Sequence, residues 1–215
     1  MPAPLMIMVA AVTLDGRIEP TPLGSRQDRR LLEEMRLATG AGLMGAGTLR
    51  RADPVMAGPG DAPPPGRLRC IVTASGALPA ERRLFTTGPR PVVFTAAAAR
   101  QRLTPLPATV VVVPEMRTGG LDLVAVRDWL AGAGVTRVLV EGGGGLNAGC
   151  LAQGLIDEIL LTVVPCISGH RDAAALVRPW REGLRPLDAF TLRDCRRLHT
   201  GEVVLRYCRP PGRPG

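Results

Sequence analysis

The run Val138-Leu139-Val140-Glu141-Gly142-Gly143-Gly144-Gly145-Leu146-Asn147 constrains this chain more than any other stretch. It reads as a short buried strand, a tetraglycine and the first turn of a helix. Glycine lets the backbone turn sharply and lets a ligand approach it closely, at the largest entropic cost of any residue. Four in succession are either a slack connection or a surface that something contacts. A helix starting here presents free N–H groups and the positive end of its dipole, which suits an anion such as a nucleotide pyrophosphate. Glu141 ends the strand, where open α/β sheets place functional side chains.

The flanking sequence alternates strands with helices. Leu5 to Val12 is a continuous apolar run and reads as a strand buried on both faces. Ser25 with Asp28 resembles a capping box, and Leu31, Leu32, Met35 and Ala38 form an apolar stripe expected in the core, with the charges between them solvated and Gly40 as the stop. Ala41 to Thr48 is a strand running into a second glycine turn, Gly45-Ala46-Gly47-Thr48. The Pro/Gly-rich stretch from Val55 to Arg67 reads as a flap beside a site. Further strands are expected at Leu68–Thr73, Arg90–Thr95, Thr109–Pro114, Thr136–Val140 and Ile159–Val164, with a helix opened by Asp122. Residues 166–186 read as irregular, and Leu187–Leu192 and Glu202–Tyr207 as two antiparallel edge strands. The pattern predicts a three-layer α/β/α domain over residues 1–208, mostly parallel with an antiparallel C-terminal hairpin, and a disordered tail over 209–215.

Composition narrows the function. The net charge of +8 is carried by arginines scattered along the chain, and aromatics make up 3% of residues. A basic balance suits nucleic acid or small anionic ligands, and scattered cations without aromatic platforms favour a solvated surface over a nucleic-acid stripe. The five cysteines have no metal-ligand spacing; Cys70, Cys150 and Cys166 sit in apolar surroundings and read as buried thiols. No signal peptide or membrane-length apolar run is seen, so a cytoplasmic protein is expected. A Gly-x-Ser-x-Gly elbow, a Walker loop and a metal motif are all missing, and His170 and His199 read as surface residues. Two glycine turns and the hydroxyl-rich strand end Thr73–Ser75 remain. They suit a dinucleotide, whose hydride chemistry needs neither a protein base nor a metal.

One ordered set of motifs goes further. Val12-Thr13-Leu14-Asp15-Gly16-Arg17, Gly45-Ala46-Gly47-Thr48-Leu49-Arg50, Asp53-Pro54, Val140-Glu141-Gly142-Gly143, Leu155-Ile156-Asp157-Glu158 and Pro165-x-x-x-Gly169 together resemble the pyrimidine reductases of riboflavin biosynthesis. The resemblance covers essentially the whole chain. It implies a dihydrofolate reductase-like fold, NADPH as hydride donor, a ribosylamino-pyrimidine phosphate as acceptor and a homodimer. By position, Ala11, Gly47 and Thr48 lie against the cofactor, and residues from Gly143 to Gly149 take the pyrophosphate and ribose. The proposed cradle includes Gly142, Gly143, Gly144, Gly145, Leu146 and Asn147. Thr73 and Ser75 lie near the adenosine 2′-phosphate. Glu141 bonds the heterocycle, Asp15 and Arg17 shape the reacting end, and Asp53 and Met56 face the substrate.

The chain departs from the pattern on the substrate side. Thr21-Pro22-Leu23-Gly24-Ser25 stands where many members carry Gly-x-Ser-x-Trp, and Ala52-Asp53 where they carry two acids. Met56-Ala57-Gly58-Pro59 replaces a segment holding an arginine for the substrate phosphate. No zinc motif of a deaminase is present. The resemblance therefore implies a stand-alone reductase, with a related pterin reductase or a non-catalytic NADP-binding protein as alternatives.

Overall fold

The apolar runs pair side by side in a single sheet. In the computed structural model, which describes residues 2–19, 23–179 and 189–210, nine strands form it: β1 (Leu5–Val12), β2 (Ala41–Gly45), β3 (Leu68–Thr73), β4 (Val92–Thr95), β5 (Thr109–Val112), β6 (Arg137–Val140), β7 (Glu158–Val163), β8 (Thr191–Arg197) and β9 (Val203–Cys208). Their order is β5-β4-β3-β2-β6-β1-β7-β9-β8. Pairing is parallel from β5 to β7, and β9 runs antiparallel to both β7 and β8. The helices are α1 (Arg26–Leu37), α2 (Ala46–Ala52), α3 (Arg83–Thr86), α4 (Leu123–Gly132) and α5 (Gly144–Ala152).

Strand alternation sends successive side chains to opposite faces, so two cores form. Leu43, Cys70 and Phe94 join α4 and α5 on one face; Met44, Ile71 and Val93 join α2 and α3 on the other. Phe94 meets Trp129 edge-on, with ring centroids 5.2 Å apart. This is the expected three-layer architecture. The chain leaves a place between β1 and β2 that β6 fills later, and a crevice opens above the C-terminal end of β6, where open α/β sheets bind ligands.

Several expectations change. Leu31, Leu32 and Met35 on α1 are only partly buried, Ala38 is exposed, and none of them joins either core. The buried residue of this helix is Arg36, so its charges are not all solvated. The helix caps at Ala38, before Gly40. Ser25 does cap it, accepting from the amides of Gln27 and Asp28, but Asp28 does not close the box. Glu202, from the turn between β8 and β9, accepts from the Ser25 amide and hydroxyl instead, both at 2.6 Å.

At the other end of the chain the second-last strand runs Thr191–Arg197, later than Leu187–Leu192. As an edge strand with every residue exposed, it carries no apolar alternation to mark it. Leu187, like Thr21, Pro22, residues 180–186 and 211–215, lies outside the described residues. Arg209, expected in the tail, is anchored: its amide donates to the Asp157 carbonyl at 2.7 Å and its guanidinium to the Ile156 carbonyl at 2.8 Å. Cys70 and Cys150 are buried, and burial pushes each thiol up to about 12. Cys166 is exposed, because it follows β7 beyond the end of the sheet.

Candidate active site at the glycine turns

The two glycine turns meet. The Gly45 amide donates to the Gly142 carbonyl at 3.1 Å, and a Cβ on Gly45 would touch Leu146. Gly143 has a positive φ of 39°, and a Cβ there would lie 2.7 Å from the Thr48 hydroxyl. Glycine is therefore required at this close approach. Asn147 donates its amide to the Gly143 carbonyl, which starts α5. Among the described residues, no carbonyl accepts from the amides of Gly143, Gly144, Gly145 or Leu146. The buried Oδ1 of Asn147 is also unpartnered. A helix start with four free donors fits an anionic group and would hold the diphosphate of a dinucleotide.

The segment 166–178 straps the outer side of this turn. Asn147 Nδ2 donates to the Leu176 carbonyl at 2.8 Å, the Arg178 amide donates to the Gly144 carbonyl, and the Ala175 carbonyl sits where a Cβ on Gly144 would be. Asp15 and Arg17 hold the strap. Asp15 accepts from the amides of Ser168 and Gly169 at 3.0 and 3.1 Å, and Arg17 donates to the Ala173 carbonyl at 3.0 Å. The Thr13 hydroxyl, with these amides, lowers the Asp15 carboxyl to about 2.

A cavity of about 680 Å³ opens beside the turns, a size ordinary for a small-molecule site. Of the residues singled out by sequence, Ala11, Thr48, Asp53, Met56, Glu141, Gly142, Gly143 and Asn147 line it. Gly47, Gly144, Gly145 and Leu146 belong to the same turns but not to its wall, and Asp15 and Arg17 act behind it. Thr73 and Ser75 stand at the same sheet edge, at the end of β3. Their hydroxyls accept from the amides of Gly76 and Ala77, forming a turn. The flap following α2 closes one side, with Asp53 and Met56 at positive φ (45° and 55°) and Met56 fully buried. Non-glycine residues held in this region store backbone strain, which concentrates at functional sites.

Two arginines that the sequence did not mark hold Glu141 in the cavity wall. Glu141 accepts from Arg36 Nη2 at 2.5 Å and Arg36 Nε at 2.9 Å, and from Arg67 Nη2 at 2.8 Å. The side chains of all three are at most 8% exposed. Burial pushes the Glu141 carboxyl up, but the two guanidiniums outweigh it and hold the carboxyl below its ordinary range. A Cβ on Gly42 would strike both Arg67 and Glu141, so the cluster also needs that glycine. Arg36 lies four residues after Leu32 on the face turned to the cavity, the one signal that could have exposed it. Arg67 carries no such signal.

The chain is also similar to known proteins along most of its length. Residues 4–201 match the profile of the RibD C-terminal domain. The chain is 33% identical to the 2,5-diamino-6-ribosylamino-4(3H)-pyrimidinone 5′-phosphate reductase of Methanothermobacter thermautotrophicus, over 95% of this chain and 97% of that protein. The Archaeoglobus fulgidus protein of the same name is 28% identical over 79% of this chain and 84% of its own. Among solved structures, a pyrimidine reductase-like protein from Corynebacterium diphtheriae superposes with a TM-score of 0.78 at 20% identity, covering 95% of this chain and 91% of that one. The riboflavin biosynthesis reductase of Saccharomyces cerevisiae gives 0.73 at 17%, covering 96% and 90%. The fold, the paired glycine turns and the length of the match converge: the chain belongs to the RibD C-terminal domain family, the pyrimidine reductases of riboflavin biosynthesis.

Proposed function

We propose that this protein reduces a ribosylamino-pyrimidine 5′-phosphate, with NADPH as hydride donor. The observation that carries the reading is the row of unused amides from Gly143 to Leu146 at the mouth of the cavity, opposite Thr48. In this reading those amides hold the diphosphate, Ala11, Gly47 and Thr48 support the nicotinamide end, and Thr73 and Ser75 stand near the 2′-phosphate. When bound, the cofactor supplies the hydride. Glu141, fixed as a carboxylate by Arg36 and Arg67, accepts hydrogen bonds from the amino groups of the heterocycle, and Asp53 and Met56 border it. Asp15 and Arg17 position the site through the strap.

The substrate phosphate needs a cation. Arg51 and Arg83 line the cavity beside Asp53 and take the place of the missing arginine after Asp-Pro. The protein's positive charge thus serves small phosphorylated ligands, and nucleic acid is not a partner. A homodimer formed through the exposed edge strand β8 and a cytoplasmic location complete the proposal; among the described residues no helix is long and apolar enough to cross a membrane.

The test is to mix the purified protein, a ribosylamino-pyrimidine 5′-phosphate and either NADPH or NADH, and follow nicotinamide absorbance. Turnover with a lower KM for NADPH is expected. No oxidation of either cofactor would overturn the reading.

A further inference from the structure

Reducing a ribosylamine takes a proton as well as a hydride. The C1′–O4′ bond breaks and its electron pair stays on O4′, while the amine nitrogen forms a C=N bond to C1′. C1′ then receives the hydride, and O4′ must gain a proton to become a hydroxyl. The cavity wall holds no histidine, lysine, cysteine or tyrosine among the described residues. It holds five carboxyl groups; three sit in ion pairs and a fourth accepts from a backbone amide. Glu141 is locked by Arg36 and Arg67, and Glu19 pairs with Arg51 at 3.2 Å and accepts from the Ala174 amide. Asp61 pairs with Arg29 at 3.4 Å, and Asp53 accepts from the Arg83 amide at 2.9 Å.

Asp28 is the fifth. We infer that Asp28, in the first turn of α1, is the proton donor of the reduction, delivering its proton to O4′ and regaining one from solvent through the open cavity. No cation pairs with it among the described residues. Its carboxyl packs over Gly24, where a Cβ would overlap it. From β7 the Thr162 hydroxyl hydrogen-bonds it, and from the β8–β9 turn the buried Glu202 carboxylate faces it. The other charges on its own helix that reach the cavity, Arg29 and Arg36, are occupied by Glu33, Asp61 and Glu141. Burial pushes the Asp28 carboxyl above the ordinary aspartate range, and Glu202 adds to that against the opposing Thr162 bond. Glu202 itself stays ionised: burial raises it, but Ser25 and Thr200 more than reverse that. Two carboxyls pushed apart in this way are the usual signature of an acid and its neighbouring anion.

This inference rests on the function proposed above. The full chain and its Asp28→Asn variant are compared. The variant is expected to lose kcat on the order of 100-fold, the range of a general acid, with KM and nicotinamide affinity unchanged. Wild-type kcat falls as pH rises through the Asp28 value; the variant lacks that limb, and Asp28→Glu restores part of it. Carboxyl-labelled aspartate NMR on the ligand-free protein provides a readout independent of turnover. One resonance should titrate above the ordinary aspartate range and vanish in Asp28→Asn. Wild-type kcat with the limb intact in Asp28→Asn overturns the inference, as does an Asp28 resonance in the ordinary range. Should Asp28→Asn fail to fold, wild type and Asp28→Glu decide by titration. If wild type does not turn over the pyrimidine, the function fails first, and a high-titrating Asp28 then marks the failure as one of substrate.

Discussion

The two halves of the cavity are built on opposite plans. The glycine half, where Gly142 to Asn147 meets Gly45 to Thr48, offers the amides of Gly143 to Leu146, which no carbonyl among the described residues accepts from. The charged half, around α1, has a carboxylate and guanidiniums that pair with one another before any ligand arrives, with Arg67 Nη1 left without a partner among the described residues. A half with free donors gains its energy on binding; a half with spent donors supplies shape and a fixed field. The comparison predicts that damage to the charged half shows first as lost stability, and damage to the glycine half first as lost affinity.

Arg67→Met gives the largest effect. It strips one of two partners from a buried carboxylate, and breaking such a cluster costs about 3–5 kcal/mol. Urea unfolding should show a lower midpoint at unchanged slope. An unchanged midpoint would mean the cluster is not the stabilising unit described. Gly143→Ala comes next. Its methyl would crowd the Thr48 hydroxyl and sit at a positive φ, so nicotinamide affinity should drop by about 2 kcal/mol, within the range for strain at such positions. Fluorescence titration measures it, and equal affinity would show that this turn does not meet the cofactor.

Asp15 gives a smaller, pH-dependent effect. Its carboxyl titrates at about 2 in the folded protein against an ordinary 3.8, so the folded state binds fewer protons. Its contribution is full above the ordinary value and disappears as pH falls towards 2. Amide exchange at Ser168 and Gly169 should quicken over that window in wild type and be fast at all pH values in Asp15→Asn. Leu192→Arg, on the exposed β8 strand, should change unfolding by less than about 0.5 kcal/mol yet shift sedimentation to the monomer. A dimer that survives it would move the interface off this hairpin.

The same contrast governs what the sequence discloses. The glycine turns are contiguous, so their strand–turn–helix pattern is visible in a dozen letters, and the structure brings them together. The strands β3 and β7 are visible because apolar runs mark buried sheet. The Arg36–Glu141 and Arg67–Glu141 pairs span 105 and 74 residues, and no local pattern announces them. Asp28 reads as a helix cap because its spacing from Ser25 fits one. Only the fold shows that Glu202, from the far end of the chain, takes that place and leaves the Asp28 carboxyl facing the cavity.

That Glu202 clamp joins two distant parts of the molecule mechanically. The tip of the last hairpin grips the root of the helix that carries both Asp28 and Arg36. Any force applied to the outer strands, whether by truncation or by a neighbour docking there, is transmitted to the cavity wall through Glu202 and the weaker bonds beside it, from Thr200 to Ser25 and from the His199 amide to Gln27.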